Sequence, residues 1–314
     1  MAVVIDYPYG ISAVDSGYLR SGLDAIHLIV DEGRCAIVDT GANSSVPRIM
    51  EALAAKRVGP EAVDFVVLTH IHLDHAGGAG LLMARLPNAM LTVHPHGARH
   101  MADPSRLMQG TIDVYGEQSA KAMYGELVPV PNARILETPH GSSIRFAGRE
   151  LLFLDTPGHA RHHVSIVDSR SGHVFSGDTF GLSYRELDCD GKQFVFPTTS
   201  PVQFDPDAEH RSLDLLLSHK PAAIYVTHFS RVHEVQRLAS DMHRLVDAHA
   251  ELALALRDAG PERGRLLQEG VTGLVFGEAE RYRWKLPAER ILEVFSNDIE
   301  LNALGLEAWL DAQT

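Results

Sequence analysis

Cysteine is scarce: Cys35 and Cys189 are the only two among 314 residues. One possible bridge in a chain this long makes no disulfide scaffold, so reduced thiols and a cytoplasmic setting are expected. Basic residues are also short, with 28 Lys and Arg against 41 Asp and Glu and a formal net charge of −13. Such a field repels nucleic acid and anionic lipid, and neither is expected as a partner. No stretch approaches the ~18 uncharged apolar residues of a membrane span. Residues 1–10 carry no basic segment before Asp6, so neither export nor membrane insertion is expected. Low-complexity tracts and repeats of ~20–50 residues are missing too. What remains is an ordinary globular composition, 45% apolar and 22% charged with 26 Gly and 16 Pro. That length and composition suit one large α/β domain, or a catalytic domain with a smaller appendage.

Short β-rich runs alternate with helical spacing over the first 230 or so residues. Residues 25–30 and 34–39 read as strands around the turn Asp31-Glu32-Gly33, and 46–57 as a helix with Ile49, Leu53 and Ala54 on one face. The continuous apolar run 62–68 reads as a buried strand. Further strands are expected at 90–93, 143–146, 150–154, 164–168, 174–176 and 222–227, with helices at 81–86, 95–102 and 207–219. Residues 103–133, less periodic and rich in Met, Gly and Pro, read as a mobile insertion over a pocket. From Val235 onward long helical patterns take over, at 235–259, 262–268 and 288–310. The expected division is a catalytic domain over 1–232 and a helical extension over 233–314, a layered sheet-and-helix pattern.

The chemistry concentrates after the buried strand, in Thr69-His70-Ile71-His72-Leu73-Asp74-His75. Four metal-capable side chains fall within six positions. In extended chain, side chains two apart point the same way, so His70 and His72 converge while Asp74 and His75 turn toward a second ion. Gly77, Gly78 and Gly80 permit tight turns next to them. One loop cannot complete two coordination spheres, and further donors do follow other expected strands. These are His159 in Thr156-Pro157-Gly158-His159, Asp178 in Gly177-Asp178-Thr179, and His228 after Thr227. With 18 histidines in the chain, His159 or His228 alone would carry little weight. A His-X-His-X-Asp-His cluster beside an apolar strand is different, because burying it without a bound cation is costly.

The ordered set His70, His72, Asp74, His75, His159, Asp178 and His228 resembles the metallo-β-lactamase superfamily in its dinuclear hydrolase branch, glyoxalase II or lactonase-like. The resemblance covers residues from about 25 to 230. It implies an α/β fold, an αββα sandwich, here with a C-terminal helical appendage. It also implies two divalent ions, Zn2+ by default with Fe or Mn open to the same nitrogen and oxygen donors. His70, His72 and His159 would hold one, Asp74, His75 and His228 the other, and Asp178 would bridge them. Asp39, in Val38-Asp39-Thr40-Gly41, and His163 would support the ligands from behind. The implied activity is hydrolysis of an acyl bond of a small molecule, a thioester, lactone or ester, by a hydroxide that the two metals activate and Asp74 orients. Tyr184 and Arg185 are candidates for hydrogen bonds to substrate. Three alternatives stay open on the same fold: a diiron redox enzyme, a small-phosphodiester hydrolase and a non-catalytic metabolite-binding regulator. The diiron branch resembles this pattern but usually has glutamate where this chain has His72. His94, His96 and His100, which open an amphipathic stretch and match no motif of the family, are set aside. So are Cys35 and Cys189, and Met101, Met108 and Met123 are read as packing. The oligomeric state is left open.

Overall fold

The computed structural model describes residues 2–200 and 202–313. Contacts divide the chain into two compact units. The first holds the residues up to Asp155 with His162–Gly177 and Ile224–Arg231; the second holds Thr156–Arg161, Asp178–Ala223 and the chain from Val232 on.

The first unit is built on two sheets. One runs in sequence order from β1 (Val4–Asp6) through β2 (Ile11–Asp15), β3 (Ala25–Asp31), β4 (Arg34–Val38), β5 (Val63–Val67) and β6 (Met90–Val93) to β7 (Ile135–Glu137). Its first four strands pair antiparallel and its last four parallel. The other contains β8 (Ser143–Phe146), β9 (Arg149–Asp155), β10 (Val164–Asp168), β11 (Val174–Gly177), β12 (Ile224–Val226) and β13 (Ser230–Val232), in reverse order across the sheet. Here β11 and β12 pair in parallel.

Strand periodicity sorts the apolar residues between two cores. On β4 and β5, Cys35, Ile37, Val63 and Val66 pack with the helices α1 (Val46–Ala55), α3 (Ala79–Arg85) and α4 (Pro95–Ala102). Their alternates Ala36, Val38 and Val67 face Phe153, Val164, Ile166 and Phe175 of the other sheet. A strand buried on both faces needs a nearly continuous apolar run, and β5 has one apart from Asp64, which pairs with Arg34. Between α1 and α3 the chain makes the single-turn helix α2 (Leu73–Ala76). Residues 103–133, expected to be irregular, form α5 (Ser105–Tyr115) and α6 (Glu117–Tyr124). Gly110, Gly116 and Gly125 interrupt the apolar spacing there, and α5 has no fully buried residue to reveal a face. The edge strand β1 and its neighbour β2 were not expected either, being short and split by the Pro8–Gly10 turn.

The second unit is helical after a long irregular segment. It contains α7 (Pro206–Ser218), α8 (Val235–Ala255), α9 (Arg263–Tyr282) and α10 (Ala288–Asp311). On α10, Ile291, Val294, Phe295, Ile299, Leu306 and Leu310 recur at three- and four-residue intervals and are buried. Helix α10 packs on α9, and α7 on α8. The expected α/β class and the C-terminal helices are thus both present. Among the described residues no helix is long and apolar enough to cross a membrane.

Candidate metal centre

In the first unit, β5 delivers Thr69 and His70 at its C-terminal end, and the extended residue His72 then opens α2. That short turn brings Asp74 and His75 back beside the strand. His70 Nε2 lies 3.0 Å from His72 Nδ1, and the His70 and His75 rings are 4.0 Å apart. Asp74 Oδ2 stands 3.6 Å from His75 Nε2 and 3.8 Å from His228 Nε2, His228 coming from the end of β12. The donor atoms of Asp74, His75 and His228 all lie within 4.8 Å of one another. Around a tetrahedral ion with bonds of about 2.0–2.1 Å, ligand atoms sit roughly 3.3 Å apart. The observed spacings suit a shared cation, and His70 and His75 are wholly buried.

The imidazoles are aimed by what their other nitrogen touches. His75 Nδ1 donates to Asp39 Oδ2 at 2.9 Å, leaving Nε2 for a ligand. Asp39, 1% exposed and with a left-handed backbone (φ 60°), closes β4. Its carboxylate also accepts from the Thr69 backbone N–H (2.8 Å), the Thr69 hydroxyl and the Thr227 hydroxyl (3.0 Å), so it gathers the ends of β4, β5 and β12. His228 Nδ1 lies 2.8 Å from Asp24 Oδ1. Burial lifts the Asp24 carboxyl to about 6, while the neighbouring His228 pulls the other way. The His163 ring is 4.9 Å from that of His70. Gly177, at φ 51°, is required there: a Cβ would come within 2.5 Å of His163 Nε2 and 2.8 Å of Thr69 Cβ.

The second unit carries His159 and Asp178. His159 Nε2 is 3.5 Å from Asp178 Oδ2, and both residues are buried. His159 Nδ1 donates to the Thr198 carbonyl at 2.8 Å, the same device with a neutral acceptor. That carbonyl is itself fixed from the C-terminal helix. Asn302 of α10 accepts from Thr199 N–H (2.8 Å) and donates to the Pro197 carbonyl (2.9 Å), and Gly305 leaves the room that lets Thr199 O approach α10. Glu209 of α7 is buried next to Gly158; burial, then the charge of Asp178, pushes its carboxyl well above the usual range.

Within each unit, then, the expected donors come together: His70, His72, Asp74, His75 and His228 in the first, His159 and Asp178 in the second. Imidazole nitrogen and carboxylate oxygen, with His75, His228 and His159 each set by a partner at Nδ1, is a donor set that fits zinc, iron or manganese. Tyr184 is fully buried and its hydroxyl donates to Asp298 of α10 at 3.0 Å. Arg185 turns its guanidinium onto the Ser183 carbonyl and toward Asp188. His94 lies 3.3 Å from Asp155 at the head of α4. Sequence reasoning missed Asp24, Thr198, Asn302 and Glu209. It also missed a buried phenol pair, Tyr18 and Tyr124, whose hydroxyls are 2.5 Å apart. Burial raises both phenols, and the Asp74 charge adds to it. Thr69 and Thr227 carried a signal, since each immediately precedes a candidate ligand.

Several known proteins are similar to this chain. Hydroxyacylglutathione hydrolase of Xanthomonas campestris pv. campestris is 29% identical over 179 residues, 57% of this chain and 51% of that protein. The chain therefore spans about half the length of that relative. The metallo-beta-lactamase fold-containing protein ST1585 of Sulfurisphaera tokodaii is 24% identical over 212 residues, 65% of this chain and 71% of that one. The crystal structure of ST1585 superposes with a TM-score of 0.64 at 21% identity, covering 96% of this chain and 99% of its own. The metallo-beta-lactamase family protein TTHA1429 of Thermus thermophilus gives 0.63 at 20% identity, covering 99% and 92%. These two likenesses establish the fold. The family model of the metallo-beta-lactamase superfamily matches residues 25–228, from β3 through the last candidate ligand, and the chain belongs to that superfamily.

Proposed function

We propose that this protein is a metal-dependent hydrolase of small-molecule acyl bonds, with His70, His72 and His159 holding one divalent ion and Asp74, His75 and His228 a second. Asp178 would contribute its carboxylate to holding them. The observation that carries the reading is the aiming of His75, His228 and His159. Each has Nδ1 held by an acceptor and Nε2 turned to a carboxylate oxygen 3.5–3.8 Å away. Such a spacing between a nitrogen and an oxygen is too long for a direct hydrogen bond and suits two ligands of one cation. Zn2+ is the default by family resemblance, with Fe and Mn accepted by the same donor atoms.

Bound ions of this kind lower the pKa of a water nucleophile toward neutrality and polarise a carbonyl oxygen. The chain's own residues do the rest. Asp74 turns Oδ2 toward the two imidazoles, and its remaining oxygen would accept the proton of the attacking water and fix its direction. Asp39 and Asp24 keep His75 and His228 in the Nδ1–H tautomer throughout the cycle. A thioester, lactone or ester substrate is supported by the hydroxyacylglutathione hydrolase relatives, and the net charge of −13 supports a small substrate over a polyanion.

Metal analysis of the purified protein, combined with turnover assays on esters, thioesters, lactones and small phosphodiesters, tests the proposal. Two metal equivalents in the centre and acyl hydrolysis are expected, and Asp178→Ala should abolish both. Full activity of that variant, or a metal-loaded protein inert on every acyl substrate, would overturn it.

A further inference from the structure

A second group of metal-capable side chains lies away from the proposed centre, on α7 and α8. His210 and Asp214 stand four residues apart on α7, and His243 and Asp247 four apart on α8, so each pair occupies one helix face. The pairs are crossed. His210 Nε2 lies 2.9 Å from Asp247 Oδ1 and His243 Nε2 3.4 Å from Asp214 Oδ1, while the two Nδ1 atoms meet at 2.7 Å. The rings are within 6° of parallel with centroids 5.0 Å apart. At that spacing they lie edge to edge, nitrogen to nitrogen, in nearly one plane.

Proton counting gives this chain its meaning. An imidazole that donates Nε2–H to a carboxylate carries, in its neutral form, a lone pair on Nδ1. Here both rings face a carboxylate through Nε2, so two lone pairs would confront each other across 2.7 Å. With His243 Nε2 as far as 3.4 Å from Asp214, the row is satisfied either by a proton on one Nδ1 or by a metal ion between the two nitrogens. A dication leaves both Nε2–H bonds intact, is offset by the two aspartates, and reproduces the carboxylate, imidazole, metal order by which protein metal sites aim their histidines.

We propose that His210 and His243 bind a divalent transition-metal ion, of the Zn2+ or Cu2+ class, between α7 and α8, with Asp214 and Asp247 holding the two rings from behind. The side chains of His210 and His243 are 26% and 29% exposed, which gives the ion a route in and leaves solvent to complete its coordination. Opening the two nitrogens from 2.7 Å to roughly the 3.3 Å of a tetrahedral site is a small movement for partly exposed side chains. The ion would brace α7, the helix that carries Glu209.

Equilibrium dialysis of the full-length protein against Zn2+ tests this, comparing wild type with His210→Ala, His243→Ala and the double variant. Each single variant is expected to bind one equivalent fewer than wild type, and the double variant no fewer than the singles. Acyl hydrolysis by the variants should be unchanged. His210→Gln, which keeps a hydrogen-bonding side chain on α7, should lose the same equivalent and so separates metal loss from misfolding. With Cu2+ as the probe, the wild-type spectrum should carry, besides any signal of the hydrolytic centre, a further copper signal coupled to two nitrogens that both single variants lose. Equal metal content in wild type and all variants would overturn the proposal and leave the pair sharing a proton. Because the comparison counts the difference between proteins, it stands whether or not the hydrolytic centre binds two ions.

Discussion

His75 and His210 make the same bond in very different places. Each ring nitrogen sits 2.9 Å from an aspartate oxygen, Asp39 in the first unit and Asp247 in the second. Asp39 is 1% exposed and accepts from Thr69 and Thr227 as well, whereas the Asp247 side chain is 64% exposed at a helix surface. His159 offers a third case, in which a backbone carbonyl replaces the carboxylate. The contrast teaches that distance does not set the worth of such a contact. A carboxylate withdrawn from water must have every lone pair answered, so its partners become rigid and mutually dependent. On the surface, water answers instead, and the pair is worth little until something else organises it.

The largest effect should therefore follow Asp39→Ala. The substitution leaves the Thr69 N–H, two hydroxyls and His75 Nδ1 unanswered in the interior, at a cost of about 3–5 kcal/mol in urea unfolding. Asp39→Asn separates the causes, since asparagine tolerates the left-handed backbone that residue 39 adopts. Its amide would still serve Thr69 but would present N–H to His75, favouring the tautomer that blocks Nε2. Metal affinity is expected to fall 10- to 100-fold in that variant with a smaller loss of stability. Unchanged affinity in Asp39→Asn would break the claim that this carboxylate aims the ring.

Burial without a charged partner comes next, and each unit supplies one case. His27 packs against Phe175 and Tyr225, and His249 against Phe196, with burial pushing each imidazole down to about 4. The unfolded chain takes up these protons near the ordinary value of about 6.5. Because the folded-state value is depressed, stability is full above about pH 6.5 and declines as pH falls toward 4, where the folded protein begins to take the protons too. At pH 5 each group should cost about 2 kcal/mol relative to pH 7. Urea midpoints of wild type and His249→Leu at the two pH values check this, with the variant expected to lose correspondingly less on acidification. An identical decline in both would show that His249 already carries its proton when folded.

Much of this could be read from the chain because the demands were local. A candidate ligand stands at a strand end, so His70 after β5, Asp178 after β11 and His228 after β12 show themselves as polar residues at which apolar runs stop. What aims those ligands is not local. Asp24 precedes β3 yet holds His228 from near the other end of the family's span, and nothing in residues 20–26 distinguishes it from a loop aspartate. Thr198 acts through its carbonyl, which no side-chain pattern can announce, and Asn302 looks like one polar break in an apolar helix face until Thr199 is found against it. Residues 103–133 were misread for another reason, since Gly110 lies inside α5 and Gly116 and Gly125 flank α6, and glycines of this kind read as loop. The crossed pairs on α7 and α8 obeyed the four-residue rule throughout, but only the packing of two helices makes four residues into one row.

The smallest effect belongs to that row. Asp247→Ala removes a carboxylate that water already solvates, and its cost in urea unfolding without added metal should be below about 1 kcal/mol. Its influence should appear only when an ion is present. Without Asp247, His210 loses the acceptor that fixes its Nε2–H tautomer, so both tautomers become populated and half the rings turn a proton toward the metal. Zn2+ binding should weaken while His210 and His243 remain in place, and titration of the variant beside wild type reads the difference directly. If Asp247→Ala costs as much stability as Asp39→Ala, exposure does not divide the two carboxylates and the comparison between the buried and surface pairs fails. A small loss without metal, together with weakened Zn2+ binding, would instead mean that the surface row has the same design as the buried centre and depends on the bound ion for the order that burial gives Asp39.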